Sequence, residues 1–528
     1  MKRFWLILLS LGLVMAFSAS AFAVDVKVGA EYYAAGLYLN KTSLYDGPDT
    51  IIAYKYDAKK AKKGKTDKAW KRDKKDDEHV NEAGSTAFFF QRLRVGTDFI
   101  CSPSLKLVTR FDAMERIWGG QRSSVGTEDS MSAGTRAENE NIAFDLAYID
   151  YTSPIGLFRV GYQKDYEWGT VFGDYTSGPT RGGITYIVPV GPVTILAQYI
   201  KEADKSASAV TTGVTTTDQD YDSYRLGAIY PFKKGKASGE VGGLLLWNRN
   251  ATNKSGSAVA YPTYGNGYLE NAYALVPYVK ANIGPVAVQA EVQYTFGDAI
   301  KWEDTNGGLY TGTPPSGLGS PANVSISALS VFLDATATFG PAYVGGSFAY
   351  LSGDDPSTND KLEGSNLLMT VNGAGFDWNP CLIMFNNDLR YWGGNISGHA
   401  GSVLDGEMSN AWFFQGRVGV KPTPQWDVML AVSYAQVDKK PTGFIGGTYG
   451  TEVDLTGTYK ITNNLTYVLG AGYFFAGDFF KGTGYDWKLS ANSDTPPVGA
   501  TPPNLANEAG VSEIQNDFMI MNKLILSF

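Results

Sequence analysis

Side-chain alternation with a period of two, repeated arm after arm, is what most limits the folds open to this chain. The clearest case is residues 451–480, TEVDLTGTYKITNNLTYVLGAGYFFAGDFF. Val453, Leu455 and Tyr459 share one parity, and Glu452, Asp454, Thr456, Thr458 and Lys460 share the other. After Thr462-Asn463-Asn464, Leu465, Tyr467, Leu469, Ala471, Tyr473 and Phe475 alternate with small or mixed residues. Successive side chains on a strand point to opposite faces, so this is an antiparallel hairpin with one apolar face. Each arm has about ten residues, enough to cross a bilayer at a tilt. A soluble sandwich shows the same alternation, so the connections must decide.

They come in two lengths. Val190-Gly191-Pro192, Ile283-Gly284-Pro285 and Phe339-Gly340-Pro341 join arms tightly, as do Ser102-Pro103-Ser104 and Ser153-Pro154-Ile155-Gly156. Residues 231–236 and 421–425 read as slightly longer turns. Gly and Pro supply the turn dihedrals and end the ladder. Between these pairs lie long polar segments at 40–84, 119–140, 170–180, 204–220, 251–270, 299–322, 352–409 and 481–513. Short turns at one end and long loops at the other are the pattern of an outer-membrane barrel. The fold class expected is therefore all-β: a transmembrane antiparallel up-and-down barrel of about 18 strands, with short periplasmic turns and long extracellular loops. Closure follows from the solvent, because hydrocarbon offers backbone amides no partner and an open sheet edge cannot span it. Segment 352–409 either hides two more strands or folds into the lumen as a plug.

The ends fit that reading. Lys2 and Arg3, an apolar run over 4–17 and Ala21-Phe22-Ala23 read as a signal peptide over residues 1–23, leaving 24–528 as one barrel domain. No later run is apolar and long enough for a helical span. The last arm, 517–528, places Phe518, Ile520, Leu524, Leu526 and Phe528 on one parity. Its terminal aromatic, Phe528, is the expected recognition element for the barrel-assembly machinery. The 32 Tyr, among other aromatics, suit girdles at the two interfaces. The lysine-rich insert Lys59 to Lys75 reads as a solvated outer loop near lipopolysaccharide rather than a nucleic-acid patch.

Catalytic chemistry has little to build on. His79 and His399 are the two histidines, both in loops. The two cysteines, Cys101 and Cys381, fit no metal or haem spacing and read as unpaired buried thiols. Asp354, Asp355 and Asp360 read as a solvated acidic turn rather than a calcium site. No enzyme activity, metal or cofactor is expected. What remains is a lumen. Placing the apolar parity in lipid turns Arg92, Arg94, Asp98, Arg110, Asp112, Arg159, Arg225, Glu291, Arg417, Glu452, Asp454 and Lys460 inward. A lipid-facing Arg or Lys costs roughly 2–4 kcal/mol at the midplane, which sorts these charges inward whether they bridge the wall or select solutes.

The hairpin at 451–478 resembles the C-terminal hairpin of the alginate-export family, in Thr451-Glu452-Val453-Asp454-Leu455, Tyr459, Asn464-Leu465-Thr466 and Gly472-Tyr473-Phe474-Phe475-Ala476-Gly477-Asp478. Arg92-Leu93-Arg94-Val95-Gly96 is similar to that family's early hairpin. The resemblance implies an 18-stranded outer-membrane barrel passing anionic polysaccharide or smaller solutes. Inward charge here is mixed, where the exporters' lumen is strongly basic. The function expected is a porin in the Gram-negative outer membrane, passing small hydrophilic solutes with weak anion preference. The alternative is a scaffold barrel sheathing a partner in export or electron-transfer machinery. Lipid, lipopolysaccharide and the assembly machinery are the expected partners. A homo-oligomer is compatible with the sequence, and no nucleic acid is expected.

Overall fold

A computed structural model describes residues 24–41, 44, 54–56, 70–72, 85–119, 142–165, 167–173, 180–205, 219–252, 268–302, 323–358, 360–365, 378–386, 408–442, 444, 446–481 and 515–528. The expected signal peptide, both histidines and most of the lysine-rich insert lie outside these residues.

Eighteen strands close into an antiparallel barrel. In chain order they are β1 (Asp25–Leu39), β2 (Thr86–Ser102), β3 (Leu105–Ile117), β4 (Ile142–Ser153), β5 (Gly156–Lys164) and β6 (Thr180–Val190). Next come β7 (Val193–Ala203), β8 (Tyr221–Lys234), β9 (Ala237–Asn250), β10 (Tyr268–Ile283), β11 (Val286–Trp302) and β12 (Val324–Phe339). The last six are β13 (Ala342–Leu351), β14 (Ala411–Val420), β15 (Trp426–Val437), β16 (Thr448–Lys460), β17 (Leu465–Ala476) and β18 (Asp517–Ser527). Each pairs with its sequence neighbours, and β1 pairs with both β2 and β18, which closes the cylinder. At that seam the Phe528 N–H donates to the Ala30 carbonyl at 3.0 Å, and the Ala30 N–H returns a bond to Phe528 at 2.9 Å.

The expected turns hold the short-turn end. Gly191, Gly284 and Gly340 have φ of 60°, 60° and 59°, each followed by Pro. A positive φ at the first central position and a proline φ at the second is a type II′ turn, whose twist matches the flanking strands. Residues 231–234, read above as part of a longer turn, instead extend β8, and only Gly235-Lys236 turns. Pro231 is tolerated because the pairing of β8 with β7 has already ended at Ile229. Segment 352–409 adds no barrel strand among its described residues. Lys361–Leu362 makes only a two-residue parallel pairing with β12.

The outer surface is apolar. Val160, Leu226, Leu245, Leu333, Val418, Leu455 and Leu469 are exposed there. Aromatic rings mark both ends of the band. Tyr199, Tyr224, Trp247, Tyr273 and Phe296 run across β7–β11 toward the long loops, with consecutive centroids 4.9–6.3 Å apart. Phe158–Tyr186 and Trp426–Tyr459 lie toward the short turns. An exposed apolar wall between two aromatic belts, with every strand paired, is the surface of a membrane-spanning barrel. Among the described residues no helix is long and apolar enough to cross a membrane.

Candidate functional site

The barrel interior is divided between a wall of paired charges and a wall covered by the chain itself. The charged wall is β1–β5. Arg94 grips Asp112 with two parallel bonds of 2.6 Å, and Arg110 binds Asp145 at 2.6 Å. Toward the long loops, Arg92 lies 3.6 Å from Glu31 and 3.8 Å from Glu115. Toward the short turns, Lys106 bonds Asp98 at 3.0 Å, and Arg159 bonds Asp150 through two nitrogens at 2.9 and 3.1 Å. Adjacent strands about 4.8 Å apart bring these side chains into register as a ladder. The ladder remains in contact with solvent: the Arg94 side chain is 13% exposed and the Lys106 side chain 38%.

The opposite side receives two segments that leave the long-loop end and turn inward. The first is 167–173, between β5 and β6. One carboxylate oxygen of Glu291 on β11 accepts the N–H groups of Thr170 (2.5 Å), Val171 (2.8 Å) and Phe172 (3.4 Å), and the Thr170 hydroxyl (2.7 Å). The Trp168 indole N–H donates to the Val276 carbonyl at 2.9 Å. The next residue, Pro277, has no N–H, and Val276 and Pro277 are skipped in the otherwise continuous β10–β11 pairing, while Val276 stays paired with Leu244 on β9. The ring itself lies over Gly227 on β8, where an added Cβ would come within 2.8 Å of it. Arg225, also on β8, binds Asp165 at the start of the segment.

The second segment is 378–386, from the long connection between β13 and β14. Glu452 on β16 accepts the N–H groups of Ile383 and Met384, both at 2.7 Å, and Asp454 accepts that of Leu382 at 3.3 Å. Gln415 on β14 donates to the Pro380 carbonyl at 2.6 Å. Leu382 rests over Gly470 and Gly472 on β17, where an added Cβ would lie 3.1 Å from it. The two segments meet: Val171 and Phe172 share one buried apolar cluster with Ile383, Met384 and Phe385, joined by Phe413, Tyr449 and Phe474 from the wall.

All twelve charges expected to point inward lie on the face opposite the exposed apolar ridge, but their surroundings differ. Arg92, Arg94, Asp98, Arg110, Asp112 and Arg159 build the ladder. Arg417 spans β13 to reach Asp334 on β12 at 2.7 Å. Lys460 is exposed at the last position of β16, beside the short turns. Arg225, Glu291, Glu452 and Asp454 are covered by the inward segments, with Glu291 1% and Glu452 0% exposed. Sequence parity missed the ladder carboxylates Asp145 and Asp150 and the anchors Asp165 and Trp168. The cysteines are free, Cys381 buried in the second segment and Cys101 exposed near a short turn rather than buried. Asp355 accepts bonds from Ser357 and pairs with Lys439 at 3.2 Å, and these bonds hold its carboxyl at about 2. Asp354 accepts the Glu363 N–H, so both of these carboxylates are bonded within the chain.

No protein-family profile matches the sequence, and no curated protein is similar to it. Solved structures of similar fold include the outer membrane protein OpdK of Pseudomonas aeruginosa, at 10% identity and TM-score 0.44, over 95% of this chain and 99% of that one. OccAB4 of Acinetobacter baumannii is at 10% identity and TM-score 0.45, over 96% and 100%. The anion-selective porin of Comamonas acidovorans is at 10% identity and TM-score 0.38, over 96% and 99%.

Proposed function

We propose that this chain is an outer-membrane channel for passive passage of small hydrophilic solutes, anions among them, and not an enzyme. The observation that carries the reading is the solvent-touched ladder of paired charges along β1–β5 inside a closed barrel with an apolar exterior. Charged groups along a wall replace part of a solute's hydration as it passes, and rapid exchange between neighbouring partners lets it leave again. On this reading residues 1–23 are the export signal and the long loops face outward. The two inward segments narrow the passage. That supports small solutes over the anionic polysaccharide implied by the hairpin resemblance, as does the pairing of each ladder arginine with a carboxylate. The sheath alternative needs a lumen free of the chain's own segments, and these two count against it. Reconstituted into planar bilayers, the folded protein is expected to give discrete conductance steps; a folded barrel that never conducts would sink the proposal.

Assembly supplies a further expected result. Phe528 points its ring outward while its backbone closes the seam with Ala30. Deleting it removes two ladder hydrogen bonds, about 0.5–1.5 kcal/mol each, and the terminal aromatic together. Membrane-inserted, heat-modifiable protein is expected to fall sharply. Wild-type amounts in the deletion variant would remove Phe528 from any role in assembly.

A further inference from the structure

Where the second segment meets the wall, three groups of different softness converge. The Cys381 sulfur and one oxygen each of Glu452 and Asp454 lie within 4.8 Å of one another, and all three residues are buried. The hydrogen bonds around them are unevenly filled. Both oxygens of Glu452 are taken by backbone N–H groups, and Asp454 Oδ2 takes a third. Asp454 Oδ1 is buried without a hydrogen-bond partner, in a residue only 3% exposed. Gly472 keeps the space beside it clear, since a Cβ there would lie 2.6 Å from that oxygen. An unpartnered buried carboxylate oxygen is destabilising, and a second carboxylate beside it adds repulsion.

A cation answers both problems. One sulfur with carboxylate oxygens suits a borderline-soft divalent ion; the hard ions calcium and magnesium favour oxygen alone. Ligand atoms around a tetrahedral zinc ion sit about 3.5 Å apart, so side-chain adjustments of about 1 Å suffice. Three protein ligands leave the fourth position to water.

We propose that Cys381, Glu452 and Asp454 form a zinc-class divalent metal site that clips segment 378–386 to β16. Binding releases the Cys381 thiol proton to solvent, leaving a thiolate ligand with no change of oxidation state. The site depends on no part of the channel reading. The rival is a proton shared by the two carboxyl groups, which leaves the sulfur with only the Ser433 hydroxyl as its hydrogen-bond partner.

The test is to refold the full chain into detergent with cobalt(II), which reports sulfur ligation through its thiolate charge-transfer band. Wild type and Cys101→Ser are expected to bind one equivalent with that band, which zinc displaces and excess magnesium does not. Cys381→Ser is expected to lose the band, and Asp454→Asn to bind at least ten-fold more weakly. No band in the wild type, a band that survives Cys381→Ser, or displacement by magnesium would each overturn the site. If Cys381→Ser fails to fold, Cys101→Ser decides alone: retention of the full band places the sulfur at Cys381, and its loss overturns the proposal.

Discussion

Glu291→Ala is expected to give larger single-channel conductance steps than the wild type, with the barrel still folded. The carboxylate is the shared acceptor for three N–H groups and a hydroxyl in the 167–173 segment. Unsatisfied buried N–H groups cost about 1–3 kcal/mol each. An unseated segment regains water, so the lower end applies and three groups sum to about 3 kcal/mol. That is roughly a hundred-fold shift toward the unseated state. The wall strands lose no ladder bonds, so heat-modifiable migration is expected to persist. Glu291→Gln retains an acceptor oxygen and should stay near the wild-type step size. Gly169→Ala attacks the same seat from the other side. Gly169 has φ of 77°, and a Cβ there would lie 2.2 Å from Glu291 Oε1. Both Glu291→Ala and Gly169→Ala should also expose the segment to limited proteolysis. Wild-type conductance and protease resistance in both variants would show that the segment neither narrows the passage nor depends on this carboxylate.

The strand count was legible because it follows from local alternation, which also sets the parity that the twelve charges share. Which of those charges meet water was not. Glu291 and Glu452 share the parity of the ladder residues, yet each is covered by a segment from far along the chain. Thr170 is 121 residues from Glu291, and Ile383 is 69 from Glu452. Nothing in the local pattern of a long polar connection says that it folds back. Bulges hid other members. The β3–β4 register shifts at Arg110/Phe111, and Phe144 and Ile149, of opposite parity, are both exposed. The extra residue lets Asp145 face inward where strict alternation from Asp150 would turn it out. Met114, with φ of 55°, marks the similar irregularity that brings Glu115 under Arg92.

The ladder's own charges make the second large effect, on ion selectivity. Clustered arginines alone would favour anions, but Asp98, Asp112, Asp145 and Asp150 stand among them at bonding distance. A wild-type reversal potential close to zero in a salt gradient is therefore expected, and it should be movable in either direction. One unpaired charge at 6 Å in water is worth about 0.7 kcal/mol to a passing ion. Two such charges, screened over about 8–10 Å at moderate salt, should change the permeability ratio about five-fold. Arg94→Ala/Arg110→Ala leaves Asp112 and Asp145 without these partners and should shift the channel toward cations. Asp112→Asn/Asp145→Asn should shift it equally toward anions. Breaking a buried pair costs about 3–5 kcal/mol, so each variant needs heat-modifiable migration to show a folded barrel. Removing both sides together, in Arg110→Gln/Asp145→Asn, holds net charge constant and should leave the reversal potential where it began. Shifts of the same sign in the two charge-changing variants, or no shift in either, would mean that permeant ions do not pass along β2–β4.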